Sequence, residues 1–261
     1  MKVTMINATK DFLKSISAIQ KSSWGQELDL DTTEEEGKVI LMQILKGEMF
    51  GGTALESIKF TFAVEGVSLT CTHQLVRARI GVGFGQCSFR DNDVTNFHYI
   101  IPESIKGVPD LEERYCALIE QSRIVYYKMI KECIPYQDAR FACLCGIGTN
   151  IIVTINYQAL LNLCQNRLCN SCQWEINELC RNIREKIRQD YDEILADFLR
   201  PRCDYIGRCI NKSTVFPCCG KFNCKEVERT TFGTEQNANM KWLEQDKKSY
   251  EEWRQKYYGK Q

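Results

Sequence analysis

The chain has 261 residues, of which 44% are hydrophobic and 26% are charged, a composition typical of a globular protein with a substantial core. Its 34 basic and 34 acidic side chains cancel, which argues against a nucleic-acid polymer or an anionic membrane as the partner. The sequence shows no signal-peptide pattern at its start and no apolar run of membrane-spanning length, and we expect a cytoplasmic protein.

Strand and helix patterns alternate in the first third of the chain. Strands are predicted at residues 1–6 and 57–66, and helices at 9–24, 31–50 and 67–81. The second helix begins with capping Asp and Thr residues, and we expect Gly51 and Gly52 to end it. The third helix leads into a flexible glycine loop at residues 81–85.

The rest of the chain is mainly helical by pattern. Helices are predicted at residues 110–133, 134–144, 156–168 and 172–199, and a strand at 149–156. Pro201 ends the last of these helices. We therefore expect an α+β fold, with one domain over residues 1–200, a cysteine-rich appendix at 201–225 and a charged, helical tail at 226–261.

Polar and basic residues crowd around the glycine loop. They are Gln74, Arg77, Arg79, Gln86, Ser88 and Arg90. Guanidinium groups bind phosphate bidentately and glycines let backbone N–H groups approach it, so this cluster suits a phosphate ligand. Arginines at a helix end also cap carbonyls or form surface ion pairs, and the residues alone leave both interpretations open.

A second polar cluster lies on successive predicted elements. Arg140 lies on a helix, Asn156 ends a strand, and Asn162 and Arg167 lie on the next helix. Asparagines at strand ends are often turn formers, but two Asn and two Arg on successive elements also fit a single polar ligand.

Together these clusters resemble the motifs of the flavin-dependent thymidylate synthases. The motifs occur in the family's order across roughly the first 200 residues, which chance matches rarely achieve. The matching stretches are residues 53–56, 60–62, 77–79, 88–90, 139–140, 154–167 and 172–176.

The resemblance implies helices around a small mixed or antiparallel sheet, and a homotetramer whose active sites are shared between subunits. It implies a methyltransferase that adds a one-carbon unit to C5 of dUMP to make dTMP, with FAD as cofactor and NADPH and methylenetetrahydrofolate as co-substrates. Three alternatives stay open: hydroxymethylation, dCMP or UMP as the acceptor, and a relative that binds flavin and nucleotide without the usual turnover.

The resemblance also assigns residues to ligands. The implied FAD contacts are Thr53, Arg77, Arg79, Asn156, Gln158 and Asn162. The implied nucleotide contacts are Gln74, Arg77, Gln86, Ser88, Arg90, Arg140 and Arg167. Arg167 matches the arginine thought to stabilise the ionised pyrimidine ring, and is therefore the expected catalytic residue. A guanidinium at the ring carbonyl favours the enolate-like form in which electron density develops at C5, so no protein nucleophile is required.

Three features depart from the family pattern. Ala78 replaces the middle His of an Arg-His-Arg motif, and Gly51 stands where the family usually has a His near folate and flavin. The spacer between Arg79 and Ser88 is one residue longer than usual, so Cys87, and not Ser88, stands at the customary distance from Arg79. We prefer the register in which one glycine is an insertion and Ser88 keeps its place in the motif. Cys87 also fits the thiolate chemistry of conventional thymidylate synthases, although a small loop residue is the favoured interpretation.

Fifteen cysteines in a chain of this kind are expected to stay reduced, most of them as small buried residues. Cys169 and Cys172 have half of the spacing of a zinc knuckle, and cysteines of the appendix would complete a tetrahedral thiolate site. The predicted zinc ligands are Cys169, Cys203, Cys209 and Cys218. Simple packing of these thiols stays the alternative.

A non-catalytic protein that binds nucleotide or flavin is the alternative from another class. Residues 240–259 would then dock a partner through their aromatic side chains, although such helices more often pack in oligomers or stay solvated. Bound flavin that NADPH bleaches would separate the two classes.

Overall fold

The computed structural model describes residues 1–25, 27–210, 219–222 and 238–259. The described strands are β1 (Lys2–Ala8), β2 (Lys59–Ser68), β3 (Val82–Gln86) and β4 (Gly148–Asn156). The described helices are α1 (Phe12–Trp24), α2 (Glu34–Lys46), α3 (Gly52–Glu56), α4 (Leu69–Leu75), α5 (Glu103–Lys106), α6 (Pro109–Lys131), α7 (Tyr136–Ala139), α8 (Tyr157–Arg167), α9 (Trp174–Asp190), α10 (Glu193–Asp197), α11 (Arg202–Ile206) and α12 (Leu243–Tyr258). The predicted α+β class is confirmed. Within the described ranges, no helix is both long and apolar enough to cross a membrane.

The sheet is antiparallel throughout, with the strand order β1-β2-β4-β3. Val153 of β4 lies opposite Phe62 of β2 on one side and Phe84 of β3 on the other. Alternate residues of β2 and β4 are buried, because one face of the sheet packs against helices. The opposite face carries polar pairs such as Thr61 and Thr154, whose hydroxyls are 3.2 Å apart.

Helices α8 and α9 supply the main core beneath the sheet. Tyr157 of α8 and Ile176 and Ile183 of α9 are buried in the same hydrophobic cluster as the inward residues of the strands. The side chain of Asn156 caps α8 by accepting the N–H of Ala159 at 2.8 Å. This cap fixes the point at which β4 turns into α8, where two predicted flavin residues lie.

A smaller hydrophobic cluster packs against α6. It contains Phe89, Val94, Tyr126, Ala139 and Ile147. The Tyr126 hydroxyl accepts the N–H of Val94 at 3.1 Å, which satisfies a polar group inside this cluster. The cluster brings the segment after β3 next to the turn that precedes β4, and so brings together two stretches that the sequence singled out.

Glycines account for two wrong predictions. Helix α2 ends at Lys46, where Gly47 adopts a φ of 78°, so Gly51 and Gly52 do not end it. Residues 81–85 are not a flexible loop either, because β3 pairs with β4 from Val82 to Gln86. The two strand glycines, Gly83 and Gly85, lie on the exposed face of that pairing.

Three other predicted helices are shorter than expected. The segment at 67–81 forms α4 only from Leu69 to Leu75, because β2 continues to Ser68. The segment at 134–144 forms the single turn of α7 and a 3₁₀ turn at Arg140–Ala142. The segment at 172–199 breaks after Asp190, because the Asp192 side chain accepts the N–H of Leu195 at 2.8 Å and starts α10 as a new helix.

Helix α12 packs on the core of its own chain. Trp253 is only 3% exposed, and its ring lies 5.7 Å from the ring of Phe198. Arg181 of α9 donates from Nη1 to Oδ1 of Asp246 and from Nη2 to Oδ2, both at 2.9 Å. Trp253, one of the aromatic residues that the sequence suggested for docking a partner, is therefore buried within its own chain.

Asp246 is expected to contribute stability that depends on pH. Burial alone would raise the pKa of its carboxyl, but the hydrogen bonds and charge of Arg181 outweigh burial and lower that pKa. Because the folded-state pKa lies below the unfolded one, the stabilisation is fully present above the unfolded pKa and is lost as the pH falls through the folded value.

Asp246→Asn should therefore lower the free energy of unfolding at neutral pH by about 2 kcal/mol, since charge-assisted hydrogen bonds contribute about that much. Urea denaturation at neutral pH and at about pH 3 checks this, and the difference between variant and parent should shrink at the acidic pH. Glu251→Gln, at an exposed position of the same helix, is the control. Equal losses in the two variants would contradict the role of Asp246.

Candidate active site

The start of α4 is fastened to α9 by a buried carboxylate. Glu175 is 2% exposed, and it accepts the backbone N–H of Ser68 at 2.6 Å and the Ser68 hydroxyl at 2.5 Å. Ser68 in turn caps α4 by accepting the N–H of Cys71 at 3.0 Å. The sequence identified Glu175 only as part of a motif, and its buried partner lies 107 residues away. The contact orients α4, whose far end carries the candidate ligand-binding residues.

Three predicted nucleotide contacts meet around α4. Arg167, the last residue of α8, donates from Nη1 to Oε1 of Gln74 at 2.9 Å. Gln86, at the end of β3, donates from Nε2 to Oγ1 of Thr72 at 3.3 Å. The fold therefore joins the two polar clusters of the sequence at the C-terminal end of α4.

Unpaired positive charge lies on the segments that follow α4 and β3. Arg77 and Arg79 follow the end of α4 and are exposed, and Arg90 is exposed beyond β3. No acidic residue occurs between Glu65 and Asp91. In the described part of the chain, none of these three guanidinium groups forms an ion pair with a carboxylate of the protein. Exposed guanidinium groups without a carboxylate partner are suited to bind an anionic ligand.

The remaining nucleotide candidates lie around the smaller hydrophobic cluster. Ser88 and Arg90 flank Phe89, and Arg140 follows Ala139, and both of these apolar residues are buried in that cluster. The Ser88 hydroxyl donates to Oδ2 of Asp91 at 2.6 Å, so its proton is already engaged. Arg140 is exposed, and its Nε donates to the carbonyl of Gln137 at 3.0 Å. The two Nη groups of Arg140 take no part in that hydrogen bond.

The backbones of Gly81 and Asn156 approach each other closely beside the predicted flavin residues. The N–H of Asn156 donates to the carbonyl of Gly81 at 2.9 Å. A Cβ at Gly81 would lie 2.3 Å from Nδ2 of Asn156, and Gly81 has a φ of 70°, so only glycine fits here. Arg79 is two residues away, which places its backbone beside Asn156.

The other flavin candidates lie on neighbouring faces of α3 and α8. Gln158 and Asn162 are four residues apart on α8 and therefore share a face. A Cβ at Gly52 would lie 3.9 Å from Oε1 of Gln158, so the start of α3, with the exposed Thr53, borders this face. A cleft of about 440 Å³ opens beside Gln158 and Gly52. Among the predicted flavin contacts, Gln158 lines this cleft, whereas Thr53, Asn156 and Asn162 lie outside its lining.

Comparison with known proteins shows the family of the chain. A family profile described as "Thymidylate synthase complementing protein" matches residues 4–191. The flavin-dependent thymidylate synthase of Pyrococcus furiosus is 34% identical over 241 residues, which cover 88% of this chain and 97% of that protein. The chain belongs to the flavin-dependent thymidylate synthase family. A member from Thermococcus onnurineus is 31% identical over 245 residues, covering 89% of this chain and 98% of that protein.

A solved structure shares the fold of the family. The crystal structure of a UMP/dUMP methylase, PolB from Streptomyces cacaoi bound with 5-Br dUMP, matches with a TM-score of 0.63. The match covers 76% of this chain and 93% of the methylase, at 15% sequence identity. The resemblance inferred from the sequence motifs is confirmed at the level of family and fold.

Packing accounts for two departures from the family motifs. A Cβ at Gly51 would lie 2.2 Å from Cδ1 of Ile44, so the Ile44 side chain fills the space that a larger residue would need. Ala78 is half-buried and packs against the main core. Cys87 packs against the smaller hydrophobic cluster, which accords with the interpretation as a small structural residue.

The cysteines chosen as zinc candidates lie on one cavity. Cys169, Cys203 and Cys209 line a space of about 280 Å³ together with Cys172 and Cys219. Cys218 lies outside the described residues. Within the described ranges, no three His, Cys, Asp or Glu side chains are arranged to hold a metal ion. The structural zinc therefore stays a prediction.

Proposed function

We propose that this protein transfers a one-carbon unit to C5 of dUMP to form dTMP, using bound FAD, methylenetetrahydrofolate and NADPH. Support comes from its near full-length similarity to relatives named as flavin-dependent thymidylate synthases. The observation that carries the proposal is the hydrogen bond between Arg167 and Gln74, which joins polar residues 93 positions apart in the chain. A role in nucleotide biosynthesis accords with the expected cytoplasmic location.

Arginines supply the binding energy for the nucleotide in this proposal. Arg77, Arg90 and Arg140 are exposed, and their guanidinium groups would contact the phosphate with forked hydrogen bonds. Gln74, Gln86 and Ser88 would contact the remaining polar groups of the nucleotide. Some of these residues lie around α4, and the others lie around the smaller hydrophobic cluster. This separation suits an active site that is shared between subunits.

Arg167 would act on the pyrimidine ring itself. Its Nη1 is held by Gln74, and this contact orients the guanidinium plane while other N–H groups stay available. A guanidinium that donates to the ring carbonyl stabilises the negative charge that develops there when C5 becomes nucleophilic. The side chain of Arg167 is half-buried, and partial exclusion of water strengthens this interaction.

The flavin would be held by Thr53, Arg79, Asn156, Gln158 and Asn162, with Arg77 near both ligands. Bound FAD supplies the redox chemistry by passing reducing equivalents from NADPH to the transferred carbon. The protein contributes orientation, because the Gly81–Asn156 contact fixes the end of β4, where Asn156 lies and after which α8 carries Gln158 and Asn162.

A homotetramer would complete these sites. Leu111, Leu118 and Val125 recur every seven residues on α6 and are 52%, 51% and 43% exposed. Such a stripe on a helix suits packing against a second helix. Ile80 and Phe141 are also exposed, at 86% and 84%, and they are neighbours of Arg79 and Arg140. Subunit contacts would therefore cover the apolar residues next to the proposed ligand contacts.

Transfer of labelled carbon tests the proposal. Purified, flavin-loaded protein is incubated with NADPH, methylenetetrahydrofolate labelled at the transferred carbon, and dUMP, dCMP or UMP in separate reactions. We expect labelled dTMP from dUMP and bleaching of the flavin by NADPH under anaerobic conditions. A labelled hydroxymethyl product, or label only on dCMP or UMP, would replace the proposed reaction. A protein that takes up no flavin and transfers no carbon would contradict it.

A further inference from the structure

Cys169 and Cys172 form a tight turn between α8 and α9. The N–H of Cys172 donates to the carbonyl of Cys169 at 3.0 Å, which closes a four-residue turn. The α-carbons at the ends of such a turn are less than about 7 Å apart, within the range that a disulfide bridges without movement of the backbone. The backbone is therefore already folded for a disulfide between these two thiols.

The two thiols differ in their surroundings. Cys169 Sγ lies 3.1 Å from the Ser171 hydroxyl, and Cys172 Sγ donates to the carbonyl of Asn166 at 2.9 Å. The one S–H proton of Cys172 is engaged in that hydrogen bond, whereas the Cys169 sulfur has the Ser171 hydroxyl as its neighbour. Cys169 is therefore the sulfur that attacks first, and Cys172 is its protonated neighbour.

Small molecules can reach both sulfur atoms. Cys169 and Cys172 are half-buried and line the cavity of about 280 Å³ described above. By contrast, Cys71, Cys164 and Cys180 are buried in the main core. The cavity therefore places both thiols of the turn where a reagent that enters it can contact them.

The turn is coupled to the candidate catalytic residue. Asn177 donates from Nδ2 to the carbonyl of Arg167 at 2.9 Å and to the carbonyl of Cys169 at 3.1 Å. The Cys172 thiol caps a carbonyl in the last turn of α8, one residue before Arg167. A disulfide removes this S–H donor, and so changes the contacts that hold the end of α8.

We propose that Cys169 and Cys172 are a reversible dithiol–disulfide pair that responds to low-molecular-weight disulfides and controls the position of Arg167. The effect on turnover rests on the proposed function, whereas formation of the disulfide does not.

The exchange balances without any other reactant. The Cys169 thiolate attacks one sulfur of an external disulfide, RSSR, forms a mixed disulfide and releases RS⁻. The Cys172 thiol then attacks Cys169 Sγ and gives its proton to the second RS⁻ as it leaves. The products are the Cys169–Cys172 disulfide, one RS⁻ and one RSH, so two protein sulfurs are oxidised and RSSR is reduced.

Peptide mass spectrometry of the full-length protein tests the pair. The protein is equilibrated with glutathione disulfide, its remaining thiols are blocked with N-ethylmaleimide, and it is digested with trypsin. Cleavage after Arg167 and Arg181 releases residues 168–181, which contain Cys169, Cys172 and the buried Cys180. We expect an internal Cys169–Cys172 disulfide in this peptide, reversed by dithiothreitol.

Cys172→Ser gives a sharper readout. Cys169 should then retain one glutathione, because the resolving thiol is absent, and Cys133→Ser should behave as the parent. The proposal is overturned if glutathione disulfide leaves both thiols free, if Cys169 pairs with Cys203 or Cys219 instead, or if zinc bound at a stoichiometry of one per chain blocks the exchange. The parent protein alone yields these outcomes if Cys172→Ser does not fold.

Turnover separates this proposal from the proposed function. Oxidation should lower the rate of dTMP formation at least fivefold with flavin still bound, and dithiothreitol should restore it. Disulfide formation with an unchanged rate would overturn the control of Arg167. Absence of turnover in the fully reduced protein would instead contradict the proposed function and leave the disulfide chemistry standing.

Discussion

Arg167→Ala is expected to reduce dTMP formation by about a thousandfold while flavin still binds, because removal of one donor to a developing oxyanion has an effect of about this size. The loss should appear in kcat, since the charge that Arg167 stabilises develops during the reaction. Flavin absorbance and steady-state rates of labelled carbon transfer measure the two properties separately.

Arg208→Ala is the matched control, because Arg208 is exposed and belongs to neither set of predicted ligand contacts. Gln74→Ala should show a smaller loss than Arg167→Ala, since it leaves the guanidinium in place but removes the acceptor that orients it. A rate for Arg167→Ala equal to that of the control would contradict the role of Arg167.

Glu175→Ala is expected to destabilise the protein by about 3 kcal/mol, because it leaves the backbone N–H and the hydroxyl of Ser68 without their buried acceptor. The start of α4 would lose its link to α9, so affinity for the nucleotide should fall as well. Denaturant unfolding and nucleotide binding measure the two effects.

Glu178→Ala is the control for this change, since Glu178 lies three residues further along α9 and is half-buried. Ser68→Ala combined with Glu175→Ala completes a double-mutant cycle, in which the two single losses should not add. Additive losses would show that the contact between these side chains does not carry the effect.

Local patterns predicted most of the strands and the long helices. Residues 57–66 and 149–156 alternate in hydrophobicity, and they form β2 and β4, because that alternation matches a sheet with one covered face. The apolar spacing of 110–133 likewise predicted α6. In these elements the local signal and the tertiary packing agree.

Strand β3 shows where local patterns fail. Two glycines in five residues are typical of a loop, and only pairing with β4 makes them a strand. The break between α9 and α10 was not predicted for a related reason. The apolar spacing continues through the break, and only the Asp192 cap starts a new helix there. Neither the pairing partner nor the choice of cap is visible in periodicity.

The sequence proposed candidate site residues, but it did not predict the contacts that support them. Motif order identified Gln74 and Arg167, and the fold brings their side chains into contact. The anchoring of Ser68 by Glu175 left no local signal, because it joins segments 107 residues apart inside the core. In the proposed homotetramer, other subunits would decide how the residues around α4 meet Arg90 and Arg140, and a single sequence does not describe that assembly.

The central claim is that guanidinium groups from separate parts of the chain bind one pyrimidine nucleotide beside a flavin. An experimental structure of the assembled protein with FAD and dUMP tests it most directly. We predict that Arg77, Arg90 and Arg140 lie within hydrogen-bonding distance of one dUMP phosphate, and Arg167 of a carbonyl of the same pyrimidine. Finding these four side chains in unrelated environments after assembly would contradict the account.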